Sequence, residues 1–177
     1  RNGFNHFANS HIEDLPGHFH FISSLLEAGL KHIAVQGTMH EIGYWEGKID
    51  ENTPTNPISY YGIAKNALRQ ATILLAKKHE ATFQWLRAYY ILGDDKRNHS
   101  IFTKILEAEE RGDATFPVTT GKNAFDFIEV DELARQIALA ITQSEVTGII
   151  NTCTGKATTL REKVEEFIAT RHFNIRP

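Results

Sequence analysis

Two side chains that can move a proton stand four positions apart in the run Tyr61-Gly-Ile-Ala-Lys65. On a helix, residues i and i+4 lie on one face, one turn apart. An ammonium group close to a phenol stabilises the phenolate and lowers the pKa of the tyrosine from its usual value of about 10. The pair therefore predicts a tyrosine that exchanges a proton with a substrate hydroxyl or carbonyl near neutral pH.

A hydroxyl side chain precedes this pair and follows a short apolar run. Thr38 comes two residues after the run HIAVQ at 32–36, and His40 comes two residues after Thr38. A hydroxyl at the carboxyl end of a parallel strand is well placed to reach a ligand. We expect Thr38 to hydrogen-bond the substrate oxygen that Tyr61 protonates, with His40 nearby.

The elements that must position these residues alternate along the chain. Apolar spacing and capping residues predict helices that carry the side chains at regular intervals. The predicted helices cover 18–28, 59–79, 100–111, 131–141 and 160–170, the predicted strands cover 31–36, 82–87, 125–130 and 148–152, and a long loop covers 43–58. Strands that alternate with helices indicate βαβ units and a mainly parallel sheet. The predicted fold class is therefore α/β.

Composition narrows the class of protein further. The 177 residues are 41% hydrophobic and 23% charged, with a net charge of −3, which is ordinary for one globular domain. Without a basic block we expect no nucleic-acid partner, and without a long apolar run we expect no membrane partner. One cysteine and the lack of a signal-peptide pattern favour a reducing, cytoplasmic location.

Neither a phosphate-binding loop nor a metal motif is present in the sequence. None of the twelve glycines forms a G-x-G-x-x-G pattern. Most of the nine histidines lie in the first forty residues, but no two are spaced as His-x-x-x-His, and there is only one cysteine to join them. We therefore expect no metal site.

Several segments, taken in order, resemble one family. They are Leu26 to Val35, Gly37 to Gly43, Thr53 to Lys65, Leu86 to Gly93, Phe125 to Glu132 and Gly148 to Lys156. Together they are similar to the extended short-chain dehydrogenases/reductases, which include the NAD-dependent epimerases and dehydratases of nucleotide sugars. Matches in the right order are far more specific than any single motif.

The resemblance implies a catalytic set and a cofactor site. Tyr61 would be the general acid/base, Lys65 would lower its pKa and bind the nicotinamide ribose, and Thr38 would hold the substrate oxygen. Ala88 and Tyr89 would lie beside the nicotinamide of NAD or NADP. The resemblance thus implies hydride transfer to or from a nucleotide-activated sugar.

The implied substrate contacts include departures from the family pattern. Tyr90 would face the sugar, and Asn98 would lie near the diphosphate. Met39 and His40, also expected at the substrate, stand where dehydratases usually have Asp and Glu, so dehydration is disfavoured and epimerisation or keto-sugar reduction remains. Phe125 stands where the family often has an arginine that contacts the nucleotide.

The resemblance also implies an organisation and a partner. Residues 1–93 would form the later part of a Rossmann-like cofactor domain, and residues 94–177 a mixed substrate-binding portion in which 124–152 returns strands to the sheet. The family's glycine loop would precede this chain. A homodimer would form through the helix that carries Tyr61. Two alternatives stay open: a non-catalytic binding or scaffold member of the fold, and a fragment that is inactive on its own.

Overall fold

The structure is a computed structural model, and it describes residues 5–93, 100–118 and 120–177. The chain divides into two compact units. The first unit contains the described residues up to Tyr89 together with Asp131–Thr152. The second contains those of Tyr90–Val130 and Cys153–Pro177.

The first unit is built on a parallel three-stranded sheet. Its elements are α1 (Ser10–Glu13), α2 (Leu15–Glu27), β1 (His32–Thr38), α3 (Tyr60–Lys78), β2 (Thr82–Ala88), α5 (Val130–Ile141) and β5 (Gly148–Thr152). The strand order is β1-β2-β5, with both pairs parallel. In this register Thr38 lies beside Ala88, and Ala88 lies beside Thr152. The carboxyl ends of the three strands therefore meet at one edge.

Local sequence explains where α3, the helix that carries Tyr61 and Lys65, begins and which residues pack against it. Ser59 is in an extended conformation, and its side chain accepts a hydrogen bond from the amide of Gly62, so it caps α3. Leu68 of α3 is buried against Leu26 of α2 and Trp85 of β2. Packing on the sheet thus fixes the face that α3 presents to the strand ends.

A buried glutamine ties the middle of the sheet to the end of α5. The side-chain nitrogen of Gln84, which is fully buried on β2, donates to the carbonyls of Ala140 at 2.8 Å and Val146 at 2.9 Å. Its side-chain oxygen lies 2.9 Å from a ring nitrogen of His32. The carbonyls at a helix end have no partners within the helix, and Gln84 supplies one.

The second unit has a smaller mixed sheet. Its elements are β3 (Tyr90–Leu92), α4 (Ile101–Glu110), β4 (Ala124–Glu129), β6 (Ala157–Thr159) and α6 (Leu160–Thr170). Strand β4 pairs in parallel with β3 and antiparallel with β6. The core is formed by α4, α6 and the chain end, with Ile105, Val164 and Ile175 at its centre. Thr159 and Glu162 form a capping box at the start of α6.

The α/β class with a parallel sheet is confirmed, but one strand lies elsewhere. Residues 124–129 do form a strand, yet it pairs in the second unit and does not return to the first sheet. Only 131–152 of the predicted returning segment belongs with the first unit. The first boundary between the two units falls after Tyr89, whereas the boundary predicted from the sequence fell after residue 93. In the part of the chain that the structure describes, no helix is long and apolar enough to cross a membrane.

Candidate active site

The site is assembled at the carboxyl end of β1. Thr38 is its last residue and is buried, and a 3₁₀ turn, Met39–Glu41, follows immediately. The Thr38 side-chain oxygen accepts a hydrogen bond from the amide of His40 at 3.3 Å. The Thr38 amide donates to the carboxylate of Glu41 at 2.8 Å. These two hydrogen bonds form a capping box, which holds both the backbone amide and the side chain of Thr38 in place.

The first turn of α3 lies directly against this 3₁₀ turn. A Cβ atom placed on Gly62 would come within 2.4 Å of the His40 carbonyl oxygen, so only glycine allows the approach. Tyr61 is the neighbour of Gly62, and its phenol lies close enough to the Thr38 side chain for that hydroxyl to lower the pKa of the phenol. The Thr38 oxygen accepts from an amide, so its own proton is available to Tyr61. The structure thus brings together two predicted catalytic residues from distant parts of the chain.

The electrostatics of Tyr61 differ from the prediction. Burial raises the pKa of Tyr61, the hydrogen bond with Thr38 lowers it, and the negative charge of Glu41 raises it again. The net direction is upward, opposite to the lowering predicted from the Tyr61-Lys65 spacing, because burial is the largest cause. At neutral pH the side chain is therefore a phenol that can donate its proton.

Lys65 lies one turn further along α3. Its ammonium group donates a hydrogen bond to the carbonyl oxygen of Gln36 on β1 at 2.9 Å. Burial lowers the pKa of Lys65, while the charge of Glu41 acts in the opposite direction. Lys65 and Tyr61 both line a small cleft of about 110 Å³, which His11 and Asp14 close on the opposite side.

Three imidazole rings surround the phenol of Tyr61. The His6 ring stacks on it with centroids 5.1 Å apart, and the rings of His11 and His40 lie at 5.2 and 5.7 Å. Burial, followed by the neighbouring His6, lowers the pKa of His40 to about 4. Burial and then His11 lower the pKa of His6. His40 is consequently neutral at pH 7.

Ala88 and Tyr89, predicted at the nicotinamide, lie at the same edge of the sheet as Thr38. Ala88 ends β2 and is buried beside Thr38 in the register, and the partly buried Tyr89 follows it. Met39 is partly buried in the turn after Thr38. The first unit therefore carries most of the predicted site residues together.

The remaining predicted substrate residues are Tyr90 and Asn98, of which the structure describes Tyr90, in the second unit. Tyr90 begins β3, and its ring packs against Phe125 with centroids 4.4 Å apart and against Phe127 at 5.7 Å. Burial raises the pKa of Tyr90. Asn98 lies outside the described residues.

Comparison with known proteins identifies the family. Residues 10–153 match the NAD dependent epimerase/dehydratase family. The chain belongs to this family. The resemblance to extended short-chain dehydrogenases/reductases is thereby confirmed.

Relatives of this family member include one curated enzyme at high identity. The dTDP-6-deoxy-L-talose 4-dehydrogenase (NAD(+)) of Aggregatibacter actinomycetemcomitans is 49% identical over 176 residues. The match covers 99% of this chain and 65% of that protein. The chain therefore spans just under two thirds of the curated relative.

Solved structures of other epimerases and dehydratases share the fold. The UDP-N-acetylglucosamine 4-epimerase of Methanobrevibacter ruminantium M1 superposes with a TM-score of 0.82 at 18% identity, over 92% of this chain and 54% of that one. The dTDP-glucose 4,6-dehydratase of Bacillus anthracis gives a TM-score of 0.81 at 16% identity, over 96% and 56%. At these identities the likeness establishes the Rossmann-like fold alone.

Sequence reasoning missed part of the site in this family member. It considered His6 and His11 only as possible metal ligands, whereas their partly buried rings both lie against Tyr61. No spacing could have signalled this, because the contact joins segments far apart in the chain. In the described residues there is no group of His, Cys, Asp and Glu side chains that could hold a metal ion.

Proposed function

We propose that the protein carrying this chain transfers a hydride between NAD and a carbon of a nucleotide-activated sugar, with Tyr61 as the proton-transfer group. The observation that carries the proposal is the close approach of the first turn of α3, which carries Tyr61, to the turn that begins at Thr38, with Lys65 one turn further along the same helix. A hydroxyl and a phenol held together can bind and protonate one substrate oxygen. Family membership supports the reaction class.

The substrate that we propose is a dTDP-6-deoxyhexose that reacts at carbon 4. The curated relative is named for oxidation of dTDP-6-deoxy-L-talose at that position with NAD(+), and it shares 49% of its residues over almost all of this chain. We therefore favour a simple oxidation and its reverse, keto-sugar reduction, over epimerisation. Met39 and His40 in place of an acidic pair support the absence of dehydration.

The residues at the sheet edge fit the nicotinamide end of NAD. Lys65 uses one N–H on the Gln36 carbonyl and retains two that can reach ribose hydroxyls. Ala88, the residue paired with Thr38 in the register, carries only a methyl group. NAD, when bound there, would supply the hydride acceptor for oxidation, and NADH would supply the hydride donor for reduction.

The protein's own residues handle the proton. In reduction, the Tyr61 phenol donates its proton to the carbonyl oxygen as the hydride arrives at carbon 4, and Thr38 holds that oxygen by a hydrogen bond. In oxidation, the Tyr61 phenolate accepts the hydroxyl proton, and the ammonium of Lys65 stabilises the negative charge. Because burial raises the pKa of Tyr61, the rate of oxidation should increase with pH.

We also propose a homodimer formed through α3. Ile63 and Leu74 are 43% and 69% exposed and stand eleven residues apart, which is three helical turns on one face. Phe21 of the neighbouring α2 is 66% exposed. Exposed apolar side chains that cluster on packed helices are typical of a subunit interface. Light scattering should show twice the monomer mass for the full-length protein and the monomer mass for its Leu74→Glu variant. Val146→Glu, which also replaces an exposed apolar side chain, is the control and should remain a dimer.

The test of activity uses the full-length protein. It should produce NADH from NAD and dTDP-6-deoxy-L-talose, and mass spectrometry should show a product lighter by two hydrogens. Tyr61→Phe should lower turnover by about 10²–10⁴-fold with little change in NAD affinity. The neighbouring Tyr60→Phe is the matched control and should keep its activity. Near-normal turnover in Tyr61→Phe would refute the assigned role.

A further inference from the structure

A fully buried carboxylate stands behind the Thr38–Tyr61 pair. Glu41 has no exposed surface, although it lies only three residues after Thr38. One of its oxygens accepts hydrogen bonds from the Thr38 amide and from the indole nitrogen of Trp85, each at 2.8 Å. The proposed mechanism assigns Glu41 no direct contact with substrate.

The second oxygen of Glu41 faces two arginines from different elements. It lies 3.4 Å from Nε of Arg69 on α3 and 3.6 Å from Nε of Arg87 on β2. The Arg87 side chain is itself fully buried. One carboxylate therefore connects the end of β1, the helix that carries Tyr61, and the central strand of the sheet.

Stability alone is a poor explanation for this arrangement. Removing charges from water costs several kcal/mol per ion, and a well-packed apolar cluster is often equally stable or more so. The second unit shows that a capping box needs no such burial: Thr159 and Glu162 form the same motif with Glu162 exposed. The contacts of Glu41 with Arg69 and Arg87 are therefore not needed to form the capping box at the 3₁₀ turn.

The geometry indicates what Glu41 controls. Arg69 lies one helical turn after Lys65 and two turns after Tyr61, so the Glu41–Arg69 contact sets the distance from the turn to the catalytic face of α3. On the other side, a Cβ atom on Gly37 would lie 2.1 Å from the Trp85 indole nitrogen, so β1 packs directly against the group that donates to Glu41. Trp85 therefore has no room to move toward β1.

We propose that Glu41 is a positioning residue that holds Thr38 and the Tyr61–Lys65 helix at the separation needed for proton transfer. The proposal rests on the function proposed above, since it names a residue that acts through that same site. Glu41 itself does not exchange a proton with substrate. It acts through the hydrogen bond to the Thr38 amide and the ion pair with Arg69.

The test is a double-mutant cycle in the full-length protein. Glu41→Asp keeps the charge but shortens the side chain by one methylene, about 1.5 Å, so the carboxylate cannot reach both partners. We expect kcat to fall by about 10–100-fold while the KM for NAD changes little. In a Thr38→Ala background the same change should lower kcat by less than about threefold, because residues that act as a unit are non-additive. Glu162→Asp, the matched capping-box control, should keep wild-type kcat.

A second variant keeps the proposal open to refutation if Glu41→Asp does not fold. Arg69→Gln removes the ion pair from the partly exposed side, and it should show the same kcat loss and the same non-additivity with Thr38→Ala. Equal losses of kcat in both backgrounds, or a folded variant with wild-type kcat, would overturn the positioning role. A wild-type protein without turnover would instead overturn the proposed function, as would a fully active Tyr61→Phe.

Discussion

Gly62→Ala tests whether the close approach of α3 to the turn after Thr38 matters for both stability and turnover. The added Cβ atom would lie 2.4 Å from the His40 carbonyl oxygen and 3.0 Å from Cβ of Pro57. Ordinary contact begins at 3.4 Å, so the helix and the turn must separate by about 1 Å. Overpacking of this kind costs about 1–3 kcal/mol.

Gly17→Ala is a matched control for this substitution. Gly17 is the third residue of α2, as Gly62 is the third residue of α3, and an added Cβ on Gly17 would meet no atom within 4 Å. The helix-propensity gain of roughly 1 kcal/mol therefore applies to both substitutions and cancels in the comparison. The remaining difference in the free energy of unfolding, about 1–3 kcal/mol, reports the steric clash at Gly62.

Urea denaturation and steady-state kinetics of the full-length protein measure the two effects. Gly17→Ala should be at least as stable as the wild type and fully active. Gly62→Ala should be less stable than Gly17→Ala, and its turnover should fall by up to about 100-fold because a 1 Å misplacement separates Thr38 from Tyr61. If the two variants matched in both stability and turnover, the close approach would have no role and the reasoning would be refuted.

Three further predictions concern stability. The pKa of His40 is about 4 in the folded state and 6.5 in the unfolded state, so the unfolded state binds more protons between these two pH values. The free energy of unfolding should therefore decrease as the pH falls from 6.5 to 4. In urea titrations, His40→Asn should weaken this dependence on pH. Gln84→Leu should cost about 1–3 kcal/mol, because the hydrogen bonds of the Gln84 side chain with Ala140, Val146 and His32 are lost, although Gln143 still donates to both carbonyls. Hydrogen exchange should increase at the end of α5. Ile105→Ala should cost about 2–5 kcal/mol in chemical denaturation, since this side chain is fully buried in the second unit.

Local signals in the sequence were sufficient for the main helices and strands. The cap at Ser59 and the capping box at Thr159 predicted the starts of α3 and α6, and both side chains make the expected hydrogen bonds. The strands of the first sheet were predicted from apolar runs. By contrast, β3 and β6 have three residues each, which is too short for an alternating pattern to show.

Pairing between distant segments could not be predicted in the same way. The alternation at 125–130 correctly indicated a strand, but an apolar pattern does not state which sheet the strand joins. The candidate site likewise has one part that local spacing predicted and one part that only tertiary contacts create. The spacing of Tyr61 and Lys65 placed both on one helix, whereas the burial that raises the pKa of Tyr61 depends on rings that tertiary folding brings to it.

The order of the strands in the first sheet has a consequence for how the protein can fold and vary. Strand β5 joins β2 after the chain has passed through 90–130 of the second unit, so Arg87 meets Asn151 across 64 positions. No single cut can release the catalytic half as one contiguous piece, and its sheet is complete only after the intervening segment has been synthesised. Lengthening a flexible loop within that segment would nevertheless be inexpensive, because doubling the length of a flexible loop adds only about 0.6 kcal/mol of closure entropy. The loops of residues 90–130 can therefore change in sequence and length while Thr38, Tyr61 and Lys65 keep their positions.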